Sequence, residues 1–446
     1  VTAPRLSLYP VAAVLLTAFT VLGLALPHAP EGQFGIGYGA ALDVFVAVAL
    51  CQGAIYAICV ARLGRGAPPL ALILGVAALL RAMVLVFPPF LSNDLYRYIW
   101  DGWVQLAGIN SFAFIPDDQH LAFLRDHVVF PNINRASYAH TIYPPTAQML
   151  FAASAGVSRV LHLPPVLGLK IFEAGFEAGT IWALLRLLRA AGQPASRVLI
   201  YAWNPVPVWE FASSGHVDVF AVTFIALALL AAVTARPGFA AAALAAATLV
   251  KLLPFILVPA LWRRWDWKFA GVFAGLVVVL YIPYLSAGWH VLGFLPGYSA
   301  QEGIDSGHGL LALDALAALV PLPVWSAKLY LGLLAVALAA LGLVVALRMR
   351  PQTARARAMA MLLLAGALMA GMSPHYPWYY PFLLVPACIA PCPAALWLVT
   401  ASPALYLDPA HTGLLWPGLV FAPAILLALW QVLRSAPSSV SGGLAA

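Results

Sequence analysis

Long apolar runs, broken at short intervals by small polar clusters, set the pattern of this chain. The runs fall at about 9–26, 42–61, 69–91, 166–188, 197–213, 217–234, 238–251, 253–262, 269–286, 324–347, 357–373, 376–392, 393–407 and 413–433. Most are long enough to cross a bilayer as helices. None shows the strict alternation of a barrel strand. The pattern predicts an all-α polytopic membrane protein, a bundle of about 12–14 transmembrane helices. The shortest runs, such as 253–262, are expected to be half-helices buried by neighbours. A further apolar stretch, 146–163, follows Tyr143-Pro144-Pro145 and is expected to lie on or dip into one leaflet.

Composition sharpens this picture. Hydrophobic residues make up 63% of the 446 and charged residues 9%, against roughly 25% charged in soluble domains. The mean hydropathy is +0.93. The first apolar run lacks a cleavage pattern and is expected to be a retained span. Cys51, Cys59, Cys388 and Cys392 all lie in apolar runs without metal-site spacing and read as small buried residues.

Charge then orients the bundle. With the N-terminus in the cytoplasm and alternating spans, 15 of the 23 Lys and Arg residues fall at cytoplasmic ends. Of the acidic residues, Asp266 alone falls in a loop on that side. Both termini are then expected inside an inner (plasma) membrane. The two largest loops, about 92–165 and 287–323, face the periplasm or exterior. Residues 1–434 read as one transmembrane domain and 435–446 as a disordered tail. The basic residues are spread as topology signals, so nucleic-acid binding has no support.

The densest polar chemistry is SNDLYRYIWDGWVQLAGIN, residues 92–110. It places Asp94, Arg97 and Asp101 among Tyr96, Tyr98, Trp100 and Trp103, just past an apolar run ending in Pro88-Pro89. On a helix Asp94 and Asp101 share a face and Arg97 pairs with Asp101. The cluster reads as a base with two orienting partners, or else as a capped surface helix with a routine ion pair. Glu210, His216 and Asp218 crowd a second turn, WEFASSGHVDVF, as a cavity lining or a hydrated turn. Lys251 stands alone at the end of a short apolar run, suited to a phosphate or to snorkelling. The turn SPHYPWYY offers His375 as a phosphate donor and Trp378 as a groove wall, or an aromatic belt. Glu173 and Glu177 need partners inside the bundle, and Arg81 is a candidate. His120, His127, His140, His290 and His308 form no metal pattern.

In chain order, SNDLYRYIWDG, TIYPP, SGHVD, Lys251 and the HYPW turn resemble the polyprenol-phosphate-mannose-dependent mannosyltransferases of the GT-C superfamily. The bacterial family 87 and alpha-mannosyltransferase-like proteins are the nearest in pattern. Trp103 and Ser111 stand where relatives often have Arg and Pro, which leaves the acceptor open. The resemblance implies an inverting transfer from a polyprenyl-phosphate sugar to a lipid or glycan acceptor among membrane lipids. Asp94 matches the catalytic acid of the first large loop, with Arg97 and Asp101 orienting it. Lys251 and His375 fall where such enzymes contact the lipid phosphate, joined by Arg135. Glu210, His216, Asp218, Tyr143 and Trp378 complete the expected substrate site. No cofactor is expected; a divalent metal is compatible but not required. A transporter or flippase of lipid-linked sugar is the alternative from another class. It predicts polar groups midway through several spans, whereas most here sit at span ends. An envelope-assembly subunit would leave the acid–aromatic density of 92–165 unexplained.

Overall fold

The computed structural model describes residues 8–25, 38–408 and 413–435. Arg5, expected at a cytoplasmic end, and the expected tail beyond Ser435 lie outside the described residues. Among the described residues the regular structure is helical and no strand occurs. The principal helices are α1 (Leu8–Ala25), α2 (Tyr38–Arg62), α3 (Leu70–Leu85), α4 (Asp94–Leu106), α5 (Pro145–Val160), α6 (Pro165–Ala190) and α7 (Asp218–Val233). They continue as α8 (Pro237–Thr248), α9 (Trp267–Tyr281), α10 (Ser326–Val344), α11 (Ala354–Met372), α12 (Pro393–Ala401) and α13 (Leu415–Ser435).

Among the described residues six helices are long and apolar enough to cross a membrane, and the chain is an all-α polytopic membrane protein. The count is lower than the twelve to fourteen expected, and proline explains much of the difference. The run at 197–213 carries Pro205 and Pro207 and folds as short turns with a π-helical segment, Val208–Ser213. The run at 376–392 carries Pro377, Pro381 and Pro386 and becomes two 3-10 turns and a six-residue helix. A proline removes a backbone donor and clashes with the preceding turn. Such backbone survives in a membrane protein only where other groups satisfy it. Here Tyr56 donates to the Ile200 carbonyl at 2.8 Å and Arg81 to the Ala202 carbonyl at 2.9 Å. The Trp203 and Trp209 indoles tie the segment to its neighbours through the Ile73 carbonyl at 3.0 Å and Gln52 at 2.7 Å. The apolar windows therefore included buried, broken segments as well as spans.

The stretch expected at a membrane surface forms α5, which meets α6 at a bend of 118°. Pro164 and Pro165 lie at that corner. Alone, α6 is too charged to pass as an apolar span, because it carries Lys170, Glu173 and Glu177 among other ionisable groups. Arg81 and Glu177 pair at 2.5 Å across α3 and α6, as the candidate pairing required. Lys170 donates to the Val84 and Phe87 carbonyls at 3.0 and 2.8 Å. Glu173 is buried, and neither of its oxygens finds a hydrogen-bond donor.

The alanine-rich α8 packs closely on α7, as small residues allow. By contrast α9, α10 and α13 leave large apolar side chains such as Val278, Val336 and Leu429 exposed, which suits lipid and not water. Helix α4 is amphipathic and lies against α5. Gly102 permits this approach, since a Cβ there would sit 2.5 Å from the Phe151 carbonyl oxygen.

Candidate active site

Asp94 opens α4, but its carboxylate does not cap the helix. Asn93 occupies the cap position without a side-chain cap bond, and the Ser92 hydroxyl receives the Asp94 amide at 3.1 Å. The Asp94 side chain instead accepts a hydrogen bond of 2.5 Å from the Asn134 carboxamide, whose nitrogen also donates to Asn93 at 3.2 Å. Asn134 comes from the far side of the first loop and gave no signal in the sequence. One of the two Asp94 oxygens remains for other partners. Asn134→Ala is expected to lower the catalytic rate roughly tenfold by freeing the carboxylate to rotate. Steady-state kinetics at matched protein checks this; an unchanged rate would mean that something else sets its direction.

Asp94 faces a cleft of about 230 Å³. Its polar lining is Asp94, Arg135, Lys251, Glu302 and His375, with Tyr98, Tyr143, Tyr298, Trp378 and Tyr379. Its apolar lining includes Ile142, Val250, Leu252, Leu253, Leu310 and Met372. Six of the residues expected from sequence therefore meet in one place: Asp94, Arg135, Tyr143, Lys251, His375 and Trp378.

Lys251 is not solitary, as the sequence suggested. Its ammonium donates to both Asp218 oxygens, at 2.8 and 2.9 Å, and lies 3.8 Å from the Tyr379 ring centroid. An ammonium has three donors, so one is left for the cleft. Asp218 thus acts from beneath Lys251 and does not line the main cleft. Glu210 and His216 are also set back. Tyr406 donates to both Glu210 oxygens at 3.0 and 3.1 Å, and His216 Nε2 lies 3.4 Å from Glu210 Oε2. The His216 ring stacks on Trp378 at 3.9 Å, and Trp378 stacks on Tyr376 at 4.4 Å. These two residues support the aromatic wall from behind.

His375 Nε2 lies 2.8 Å from the Gly309 carbonyl. A carbonyl only accepts, so this nitrogen carries its proton there. Gly309 has φ +84°, and a Cβ at that position would collide with the imidazole. Arg135 reaches Glu302 at 3.8 Å and lies over the Tyr298 ring. Burial pushes the Glu302 carboxyl up from its ordinary value, against the pull of His375 and Arg135. Arg135 and Ser373, at the two sides of the cleft, hold left-handed backbone with φ 58° and 39°. Such non-glycine conformations collect at functional sites.

Arg97 and Asp101 do not reach the cleft. Arg97 pairs with Asp101 at 2.8 Å and donates to the Ala139 carbonyl at 3.0 Å. Gln148 donates to the second Asp101 oxygen at 3.0 Å. Both are buried, and they tie α4 to α5 and to the segment preceding TIYPP. Their effect on Asp94 runs through the position of α4. Among the described residues, no three of His, Cys, Asp and Glu gather as a metal ion would require.

The second loop closes on the first beside the cleft. Asn110 donates to the Tyr284 carbonyl and to Ser286, and Gln301 donates to Tyr138 at 2.7 Å. His140 and His290 face each other with ring centroids 4.4 Å apart. Burial holds the His140 imidazole below its ordinary value, and His290 and Arg97 add to this. The Phe112 carbonyl, accepting from Nδ1, and Asp118 oppose it. A depressed histidine favours the neutral form when folded. Its contribution is complete above about pH 6.5 and is lost as the pH falls from there through the folded value. Amide protection in residues 284–293, taken relative to intrinsic exchange, is therefore expected to weaken as the pH falls below about 6.5. His140→Gln should remove that dependence.

Among known proteins, a family model described as alpha-(1->6)-mannopyranosyltransferase, N-terminal domain, matches residues 11–266. The matched segment contains Asp94, Asn134, Asp218 and Lys251, while Glu302 and His375 lie beyond it. No curated protein and no solved structure matches the chain. With more than half of its length matched, and with a membrane bundle carrying the cleft, the chain belongs to the MptA/B family of alpha-(1->6)-mannopyranosyltransferases and is a mannosyltransferase.

Proposed function

We propose that this mannosyltransferase takes its sugar from a polyprenyl monophosphate and transfers it, with inversion, to an acceptor hydroxyl on the non-cytoplasmic face of the inner membrane. The observation that carries the reading is the cleft itself. Two carboxylates, Asp94 and Glu302, and two cationic side chains, Arg135 and Lys251, share it with a wall of apolar residues. Glu302 faces Arg135, and the cations beside apolar walls suit a phosphate bearing a hydrocarbon chain. The excess of Lys and Arg at the opposite ends of the spans supports the face. The family's alpha-(1->6) description suggests a primary hydroxyl at C6 of the acceptor.

In this mechanism Asp94 takes the proton of the acceptor hydroxyl as its oxygen attacks the anomeric carbon. The bond from that carbon to the phosphate oxygen breaks, and its electron pair leaves with the lipid phosphate. Lys251 and Arg135 stabilise the growing negative charge. His375, held by the Gly309 carbonyl, lines the same cleft beside them. Trp378 and Tyr143 offer flat apolar faces to sugar or isoprene. With one phosphate to neutralise, the mechanism needs no metal.

Donor identity is the direct test. Membranes containing the protein are given mannose-labelled polyprenyl phosphate in one arm and a labelled nucleoside-diphosphate mannose in the other, with the pathway between them blocked. Transfer from the lipid donor alone is expected. Transfer from the nucleotide donor alone would overturn the reading, as would movement of intact labelled lipid across liposomes without transfer.

A further inference from the structure

A second cavity, about 280 Å³ in volume, opens between α4, α5 and the start of α6. Its walls include Trp103, Leu106, Phe151 and Leu169. It is separated from the reaction cleft by aromatic rings. Tyr98 lines both spaces, stacks on Phe151 at 4.8 Å and meets Tyr143 edge-on at 4.9 Å. Outside the cavity the surface stays apolar, with Val157, Val160 and Leu161 exposed.

Arg159 stands at the mouth of this cavity. The first loop contains four arginines. Arg97 sits against Asp101, Arg125 against Asp117 and Arg135 against Glu302. Arg159 is exposed and has no carboxylate within ion-pair distance among the described residues. It also lies on the first loop, on the same side of the bundle as the cleft, away from the helix ends that carry Arg62, Arg65, Arg186 and Arg189. A guanidinium beside an apolar cavity, within an apolar surface, lacks an anion that carries a hydrocarbon chain.

We propose that this cavity holds a glycerophospholipid of the surrounding bilayer, its phosphate on Arg159 and one acyl chain against Trp103, Leu106 and Leu169. The lipid packs behind Tyr98 and so backs the wall of the reaction cleft. Charge selects a phosphate-bearing lipid over a neutral one of the same chain length. The full-length protein is reconstituted in phosphatidylglycerol vesicles that also contain dioleoylglycerol. It is then extracted gently, and retained lipid is counted by native mass spectrometry. One phosphatidylglycerol per chain is expected on the wild type. Arg159→Gln should lower that occupancy about tenfold, and Arg159→Lys should keep most of it. Ala107 is exposed and lines the mouth, so Ala107→Trp should exclude the lipid without touching the core. Arg186→Gln, an exposed arginine near the far end of α6, serves as a control and should retain the lipid. Wild-type occupancy in Arg159→Gln or Ala107→Trp would overturn the proposal. So would equal retention of dioleoylglycerol, or a second copy of the chain or another protein in place of the lipid.

Discussion

Replacing Asp94 by asparagine is expected to lower mannosyl transfer about 10²- to 10⁴-fold, the usual range for loss of a general base. The substitution is nearly isosteric, and the new side-chain oxygen can still accept from Asn134, so the helix start keeps its geometry. The loss should fall on the catalytic rate, with little change in the KM for the donor, because in the proposed mechanism the carboxylate acts on the acceptor proton and not on the phosphate. Asp101→Asn is the informative contrast. Asp101 is 1% exposed and receives Arg97 and Gln148. Removing its charge leaves a buried guanidinium without its partner, so that variant should lose stability first. Kinetics and thermal unfolding measured on both variants separate the two carboxylates. Full transfer by Asp94→Asn would remove Asp94 from the mechanism, and equal unfolding of both would make the two acids alike structural.

The difference between these acids also shows what the sequence could and could not convey. The spacing of seven does put Asp94 and Asp101 on one face of a helix. It also puts them two turns apart, about 10 Å along the axis, and only the start of α4, through Asp94 and Tyr98, reaches the cleft. Asp94, Tyr143, Lys251, His375 and Trp378 were legible because each is a polar or aromatic group at the end of an apolar run, where a membrane protein rarely spends one without reason. Their partners were not legible. Asp218 and Lys251 are 33 positions apart, Asn134 and Asp94 are 40 apart, and nothing local marks either pair. Glu302 was one acid among several in a loop until that loop closed on the cleft. The helical class followed from apolar run length alone, while the number of spans did not. Hydropathy cannot distinguish a crossing helix from a proline-broken segment buried by its neighbours, as at 197–213 and 376–392.

The second large effect is expected on stability, at the ion pair inside the bundle. Arg81 and Glu177 are 8% and 1% exposed. Arg81 also donates to the Ala77 and Ala202 carbonyls at 3.1 and 2.9 Å, and Tyr201 donates to Glu177 at 3.4 Å. The pair therefore joins α3 to α6 and holds the broken segment that leads to Glu210 and the His216 turn. Arg81→Met removes the cation and leaves the Glu177 carboxylate buried, which costs about 3–5 kcal/mol. It also orphans the Ala202 carbonyl. Replacing both members, Arg81→Met with Glu177→Met, removes the uncompensated charge and should recover most of that loss, since a packed apolar pair often equals a buried ionic one. Thermal unfolding of the three proteins in one detergent, with transfer measured on the same samples, tests the coupling. Recovery of stability together with transfer would make the pair a tie between helices that chemistry does not need. Recovery of stability without transfer would mean that its charges shape the site itself. A double variant no more stable than Arg81→Met alone would remove the ion pair as the source of the loss.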